Sequence, residues 1–287
     1  MKGIKVGVAV LNGSTGFKEI ADALLCAMEE CGIEAVRMGK YDFLRGDVQR
    51  KIIIAANLGR TLSQWYPGKD WRELVNENDI IYSTEQMRDS VLDHGGLWEI
   101  YREREVWDYS ANNVLFLREK GFPRVKLVPL TYVKGLARIP RVEQDVDVMF
   151  YGSMNDRRRR IIDGLLATGL TCEIYDQNRR IWGEQRDEII ARSKVIVNIH
   201  FYEYKIFESA RVFYLVTNGK CVVSESGSDE IERLYRGAVV MADYDSMVDV
   251  VRRYVEDDDL RRRQEITALD EFRKLPLAPL VRWALMG

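Results

Sequence analysis

Within the dozen residues from His200 to Arg211 the chain bunches an imidazole, carboxylates and cations: His200, Glu203, Lys205, Glu208 and Arg211, interleaved with Tyr202 and Tyr204. They follow the apolar, β-branched run Val195–Ile199, which suits the centre of a parallel sheet. Open α/β sheets bind ligands at the carboxyl ends of their strands and at helix N-termini. A helix expected over Ile206–Asn218 and stopped by Gly219 puts Glu208 and Arg211 on its first turns, facing such a crevice. The plainer alternative is an i,i+3 ion pair, worth about 0.2–0.5 kcal/mol. A second cluster is Arg157–Arg160, four arginines at a helix start just after Gly152-Ser153. A basic first turn opposes the helix dipole, so at least two of the four read as solvated and the others as ligand-facing. The early loop Asn12-Gly13-Ser14-Thr15-Gly16 offers bare backbone N–H groups for an anion or a sugar hydroxyl, or is an ordinary tight turn. Glu85 sits just past the strand-like run Asp79–Ser83, again at a carboxyl end. Three Asp-x-Asp matches, at Asp145/Asp147, Asp243/Asp245 and Asp257/Asp259, are near chance in an acidic chain, and no metal is assigned.

The elements that must position these groups alternate. Ile4–Leu11 is a strand, a helix runs from about Phe17 to Cys31, and Glu34–Met38 is a second strand. Further strands are expected at Lys51–Ala56, Asp79–Ser83 and Val125–Leu130, with one helix across Leu97–Lys120. Asn57–Asn78 reads as a loop with a short helix. The Gly-, Pro- and charge-rich 135–147 stretch is the linker between a domain over 1–134 and another over 148–265. In the second domain, Val148–Tyr151, Thr171–Tyr175, Val195–Ile199, Cys221–Ser224 and Ala238–Met241 are strands. Asp156–Thr168, Arg186–Ser193 and Asp245–Glu256 are helices. Asp257–Arg263 reads as a charged, solvated stretch. The 266–287 segment, carrying Trp283, is amphipathic and suited to packing back on the first domain.

With 287 residues, 46% hydrophobic and 31% charged, the chain can bury a substantial core. A net charge of −2 lacks the basic excess of a dedicated nucleic-acid binder. Cys26, Cys31, Cys172 and Cys221 form no CxxC pair and read as reduced core residues. MKGIKVGVAVLNG has neither the apolar length nor the cleavage site of a signal peptide, and no run approaches about 18 apolar residues. The default compartment is the cytoplasm. A pyridine-nucleotide dehydrogenase is disfavoured because NGSTG is not GxGxxG and no acidic residue ends the second strand.

DVMFYGSMNDRRRR, SKVIVNIHFYEYKIFESARVFYLVTNGKCVVSE and the closing helix after AVVMADYDS resemble the nucleotide-sugar-dependent glycosyltransferases of the GT-B type. The resemblance covers about 146–260 well; in the first half only DYSANN and VKLVPL are similar. It implies an α/β fold of two Rossmann-like domains facing across a cleft, with the nucleotide-sugar donor on the C-terminal domain and the acceptor on the N-terminal one. The family's paired glutamates lie eight positions apart. Glu208 fits the second, ribose-binding acid, with His200 in place of the first. Counting back from Gly219 instead puts Tyr214 at the acid's place. Glu208 is preferred because a carboxylate accepts both ribose hydroxyls and a phenol does not.

Such an enzyme holds a diphosphate leaving group with cations and helix N-termini, without an obligatory metal. The resemblance implies donor binding by Gly152, Ser153, Arg157, Arg158, His200, Lys205, Glu208 and Arg211, with a UDP- or GDP-linked sugar as substrate. Asn12, Gly13 and Ser14 fall on the acceptor side. An inverting transferase needs a base: Glu85, His94 and Asp108 are the candidates, and Glu85 has the best position. The hydroxyl acceptor could be a polysaccharide, a small molecule or hydroxymethylated bases in DNA, the last disfavoured by the low net charge. The alternatives are a nucleotide-sugar epimerase of the same architecture and a non-catalytic nucleotide-binding protein.

Overall fold

The structure, a computed structural model, describes residues 4–11, 15–55, 58–93 and 96–287. It divides into two units. One comprises residues up to Val133 together with Leu277–Gly287; the other is Lys134–Pro276.

The first unit is built on a parallel sheet of six strands: β1 (Val6–Val10), β2 (Ala35–Met38), β3 (Arg50–Ala55), β4 (Ile80–Ser83), β5 (Glu105–Asp108) and β6 (Val125–Leu127). Their spatial order is β2-β1-β3-β4-β5-β6. The central strands are apolar on both faces because helices cover both, and Val8, Ile52, Ile53, Ile80 and Ile81 are fully buried. The helices are α1 (Lys18–Glu30), α2 (Leu58–Trp65), α3 (Trp71–Leu74), α4 (Asp89–Leu92), α5 (Leu97–Glu103) and α6 (Ala111–Glu119).

The single helix expected over Leu97–Lys120 is therefore wrong. It is α5, then β5, then α6, and Val106 and Trp107 are fully buried in the sheet. Four strand residues between two apolar helices leave too short an alternation to break a helical pattern. The Val125–Leu130 strand ends at Leu127, two residues before Pro129, whose ring nitrogen has no hydrogen to donate. Ala56 of the expected third strand lies outside the described residues.

The second unit holds a five-stranded parallel sheet: β7 (Val146–Tyr151), β8 (Cys172–Tyr175), β9 (Ser193–Asn198), β10 (Val222–Glu225) and β11 (Val240–Ala242), in the order β11-β10-β9-β7-β8. Its helices are α7 (Asp156–Ala167), α8 (Gly183–Arg192), α9 (Ser209–Thr217), α10 (Met247–Glu256) and α11 (Asp258–Phe272). β7 starts at Val146, paired with Ser193, so the irregular linker ends earlier than expected. Asp257–Arg263 is largely solvated, as expected, with Arg261 the exception, and it opens α11. Asp257 caps α11 through the Leu260 N–H at 2.8 Å, and Arg261, 2% exposed, donates to the carbonyls of Tyr254 and Val255.

The final helix, α12 (Leu277–Met286), belongs to the first unit and packs on α1. Leu277 N–H donates to the Tyr132 carbonyl at 2.9 Å, Cys31 Sγ to that of Ala278 at 3.1 Å and Lys126 Nζ to that of Ala284 at 2.9 Å. The boundary falls at Pro276, not near 265, because α11 stays with the second unit. The four cysteines are not joined in disulfides, and among the described residues no helix is long and apolar enough to cross a membrane.

Candidate functional site

β7 ends at Tyr151, and the chain turns at Gly152 with φ +150° before entering α7. Asn155 caps that helix: its Oδ1 accepts from Arg158 N–H at 2.9 Å, and its Nδ2 donates to the Phe201 carbonyl at 2.7 Å. The cap thus ties the loop after β7 to the loop after β9. Of the four arginines, Arg159 and Arg160 are exposed, whereas Arg157 and Arg158 turn inward.

Arg158 is 2% exposed and fully engaged. It donates from Nε to the Ile199 carbonyl at 2.8 Å, from Nη1 to that of Ser153 at 2.8 Å, and from Nη2 to the Glu208 carboxylate. Burial pulls its pKa down to about 10 against the pull of Glu208. Arg158 is a support, not a group open to ligand. Arg157 forks onto both oxygens of Glu225 and donates to the His200 carbonyl at 2.9 Å.

The loop after β9 is held as tightly. His200 is 1% exposed; its two ring nitrogens lie 3.1 Å from the Ile206 carbonyl and 3.0 Å from that of Glu225. Burial lowers its pKa. It organises the loop and is not open to a ligand, which corrects the expectation of direct contact. Lys205 has φ +51°, an uncommon conformation for a residue with a side chain, and its Nζ is 3.1 Å from Glu225 Oε1. Ile206 and Phe207 are not helical: α9 begins at Ser209, and Glu208 is the residue before it. Glu208 therefore stands at the helix entrance, not on its first turn. Its Oε2 meets Arg211 Nη2 at 2.7 Å, while Arg158 holds the other oxygen.

Arg211 differs from its neighbours. Its Nη1 is buried without a hydrogen-bond partner among the described residues. It faces Gly152: a Cβ built there would stand 2.7 Å from Arg211 Nη2. Four cations (Arg157, Arg158, Lys205, Arg211) surround two carboxylates (Glu208, Glu225), leaving an excess of two positive charges. Burial alone would raise both carboxyl pKa values. Arg211, Arg158 and His200 more than reverse this at Glu208, as Arg157 and Lys205 do at Glu225.

Glu225 was not among the sequence candidates, though the signal was present: it ends β10 as an acid following an apolar strand, the pattern that singled out Glu85. Tyr214, the other register for the ribose-binding acid, lies deeper in α9. Its hydroxyl donates to Asp187 Oδ2 at 2.5 Å and accepts from Arg138 Nε at 3.0 Å.

In the first unit, Glu85 follows β4 in a loop pinned by Asn113. The Asn113 side chain donates to the Glu85 carbonyl at 2.7 Å and accepts from Met87 N–H at 2.9 Å. Burial raises the Glu85 pKa. Asp108 is fully buried and accepts from Ser110 N–H and Asn113 Nδ2 at 2.8 and 3.0 Å, so it is structural rather than a candidate base. Asn12, Gly13, Ser14 and His94 lie outside the described residues. Among the described residues no group of three or more His, Cys, Asp or Glu side chains could hold a metal ion.

Residues 136–273 match the family described as glycosyl transferase-like, a span that falls within the second unit. The chain superposes on an alpha-glucosyltransferase solved with UDP and a 13-mer DNA containing a HMU base, with TM-score 0.69. Identity is 9%, over 99% of this chain and 100% of that one, so the likeness is one of fold. The second unit carries a glycosyl transferase-like domain, and the chain has the GT-B fold. The chain is 26% identical to an uncharacterized protein of Acanthamoeba polyphaga mimivirus over 222 residues, 74% of this chain and 71% of that protein. A second uncharacterized mimivirus protein is 30% identical over 177 residues, 59% of this chain, and the match spans only 20% of that longer protein.

Proposed function

We propose that the chain is a glycosyltransferase that takes its sugar from a UDP-linked donor, and that the cation cluster of the second unit holds the diphosphate. The carrying observation is the buried, unpartnered Nη1 of Arg211, a guanidinium that packs against Gly152 through its Nη2 side. A buried guanidinium N–H without an acceptor costs free energy. A phosphate oxygen supplies that acceptor, and only glycine at 152 lets it come close. The two surplus positive charges match a diphosphate in number. Lys205 adds a point charge, and the Gly152-Ser153 turn adds backbone N–H groups. Arg158, His200 and Glu225 act by positioning: Arg158 fixes Glu208, His200 the loop, Glu225 both Arg157 and Lys205. The ribose hydroxyls go to Glu208, whose position at the entrance of α9 favours it over Tyr214. UDP is favoured over GDP because UDP occupies the alpha-glucosyltransferase of the same fold. The first unit takes the acceptor, with Glu85 as base toward its hydroxyl.

Thermal unfolding against UDP, GDP and their sugars tests this. UDP at 100 times its Kd should stabilise by about 2.7 kcal/mol, and Arg211→Ala should abolish the shift. A shift with GDP alone would overturn the UDP assignment, and a shift that survives Arg211→Ala would overturn the site.

A further inference from the structure

Beyond the cation cluster, the second unit contains a cavity of about 340 Å³ at the carboxyl ends of β10 and β11. Its size is at the low end for small-molecule pockets. The wall supplies hydroxyls from Ser226 and Ser228, the Glu232 carboxyl, the guanidiniums of Arg233 and Arg236, and an apolar surface from Met241. Hydroxyl, carboxylate and guanidinium groups around one apolar face suit a ring bearing several hydroxyls, each of which both donates and accepts.

Two further observations point the same way. Glu232 Oε1 is buried without a hydrogen-bond partner among the described residues. Burial pushes the Glu232 pKa up to about 6, with Asp229 and Glu225 adding to the rise and the Gly227 amide and Lys205 opposing it. A hydroxyl donor from a ligand would satisfy that oxygen. Gly227 joins the cavity to the cation cluster: a Cβ there would stand 2.5 Å from both Glu232 Oε1 and the Lys205 carbonyl, and 3.1 Å from His200 Nε2. The cavity begins at Ser226, one residue after Glu225, which holds Arg157 and Lys205.

We propose that this cavity is the subsite for the donor's sugar ring, with Glu232 accepting hydrogen bonds from the ring hydroxyls and Arg233 and Arg236 donating to them. The assignment rests on the nucleotide site proposed above. A sugar on the terminal phosphate, with that phosphate at Lys205, reaches the cavity past Gly227. Glu232 would then determine which sugar is accepted.

The test is calorimetric titration of the full chain with UDP and with UDP-glucose, UDP-galactose and UDP-N-acetylglucosamine. In Glu232→Gln the affinity for the preferred UDP-sugar should fall about tenfold while that for UDP stays within twofold. Arg236→Ala, which removes a proposed donor from the cavity wall, should show the same split, and Glu232→Gln should change the ranking of the three sugars. Equal losses for UDP and UDP-sugar in both variants, or no loss in either, would overturn the subsite and leave the nucleotide site standing. Failure of the unaltered chain to bind UDP or any of its sugars would overturn the nucleotide site, and the subsite with it.

Discussion

The guanidinium of Arg158, 2% exposed, is bound to the carboxylate of Glu208, fifty positions further along the chain. Glu208 is the countercharge of Arg158 and shares its charge between Arg158 and Arg211, and Arg158 also braces the loops on either side through Ser153 and Ile199. Removing one partner of a buried ion pair strands the other, at a cost of about 3–5 kcal/mol. Arg158→Met should therefore lower stability by about that amount in chemical denaturation, although the side chain touches no ligand. Arg158→Lys should recover only part, since an ammonium does not reproduce the planar fork serving three acceptors. A neutral Arg158→Met would mean that Arg211 alone suffices to hold Glu208.

Acid should act through the same carboxylates. Glu208 and Glu225 both have folded pKa values held below the ordinary 4.5. Their contribution is fully present above that value and is lost as the pH falls through the lower folded values. Melting temperature should be flat with respect to these groups at neutral pH and fall below about pH 4.5, the ordinary carboxyl value. In Glu208→Gln the acid slope should be shallower and the neutral-pH stability lower. An identical slope would show that other carboxylates dominate acid unfolding.

Gly152→Ala probes the approach to Arg211. The residue has φ +150°, and its new methyl would meet Arg211 Nη2 at 2.7 Å. The arginine end can swing aside, so the fold should survive with a loss of about 1–2 kcal/mol from backbone strain. UDP affinity should drop at least tenfold in calorimetry, because the displaced guanidinium no longer meets the phosphate. Unchanged affinity would place the diphosphate elsewhere.

Glu85→Gln should lower kcat about 100-fold or more, the usual contribution of a general base, while UDP binding is unaltered. Burial raises the Glu85 pKa, and a base works only when deprotonated. The acid limb of the rate profile should therefore lie above the ordinary carboxylate pKa and disappear in the Gln variant. A retained limb would assign the base to another residue.

Much of the second unit was legible because its strands are long apolar runs closed by glycine or polar loops. Val195–Ile199 and Cys221–Ser224 announce the centre of a parallel sheet, and the cluster from His200 to Arg211 follows directly. What sequence spacing does not carry is the inward or outward sense of adjacent arginines. Arg157 and Arg158 turn inward because Asn155 caps α7 and sets its rotation, whereas Arg159 and Arg160 stay in water. The pairing of Arg157 with Glu225, sixty-eight positions apart, depends on β9 lying between β7 and β10, a neighbour relation no local pattern encodes. In the first unit β5 was hidden because its four residues sit between two helices with no glycine or proline to mark the change.

The placement of α12 in the first unit means that the chain crosses between the units twice, at Val133–Lys134 and at Pro276–Leu277. During synthesis at about 5–20 residues per second, the second unit is a continuous segment and can close as soon as it has emerged. The first unit, although it begins the chain, must wait for residues 277–287 before α1 has its partner. The order of completion is thus the reverse of the order of translation. A chain truncated after Pro276 and released would carry the whole second unit and a first unit still exposing the side of α1 that α12 covers.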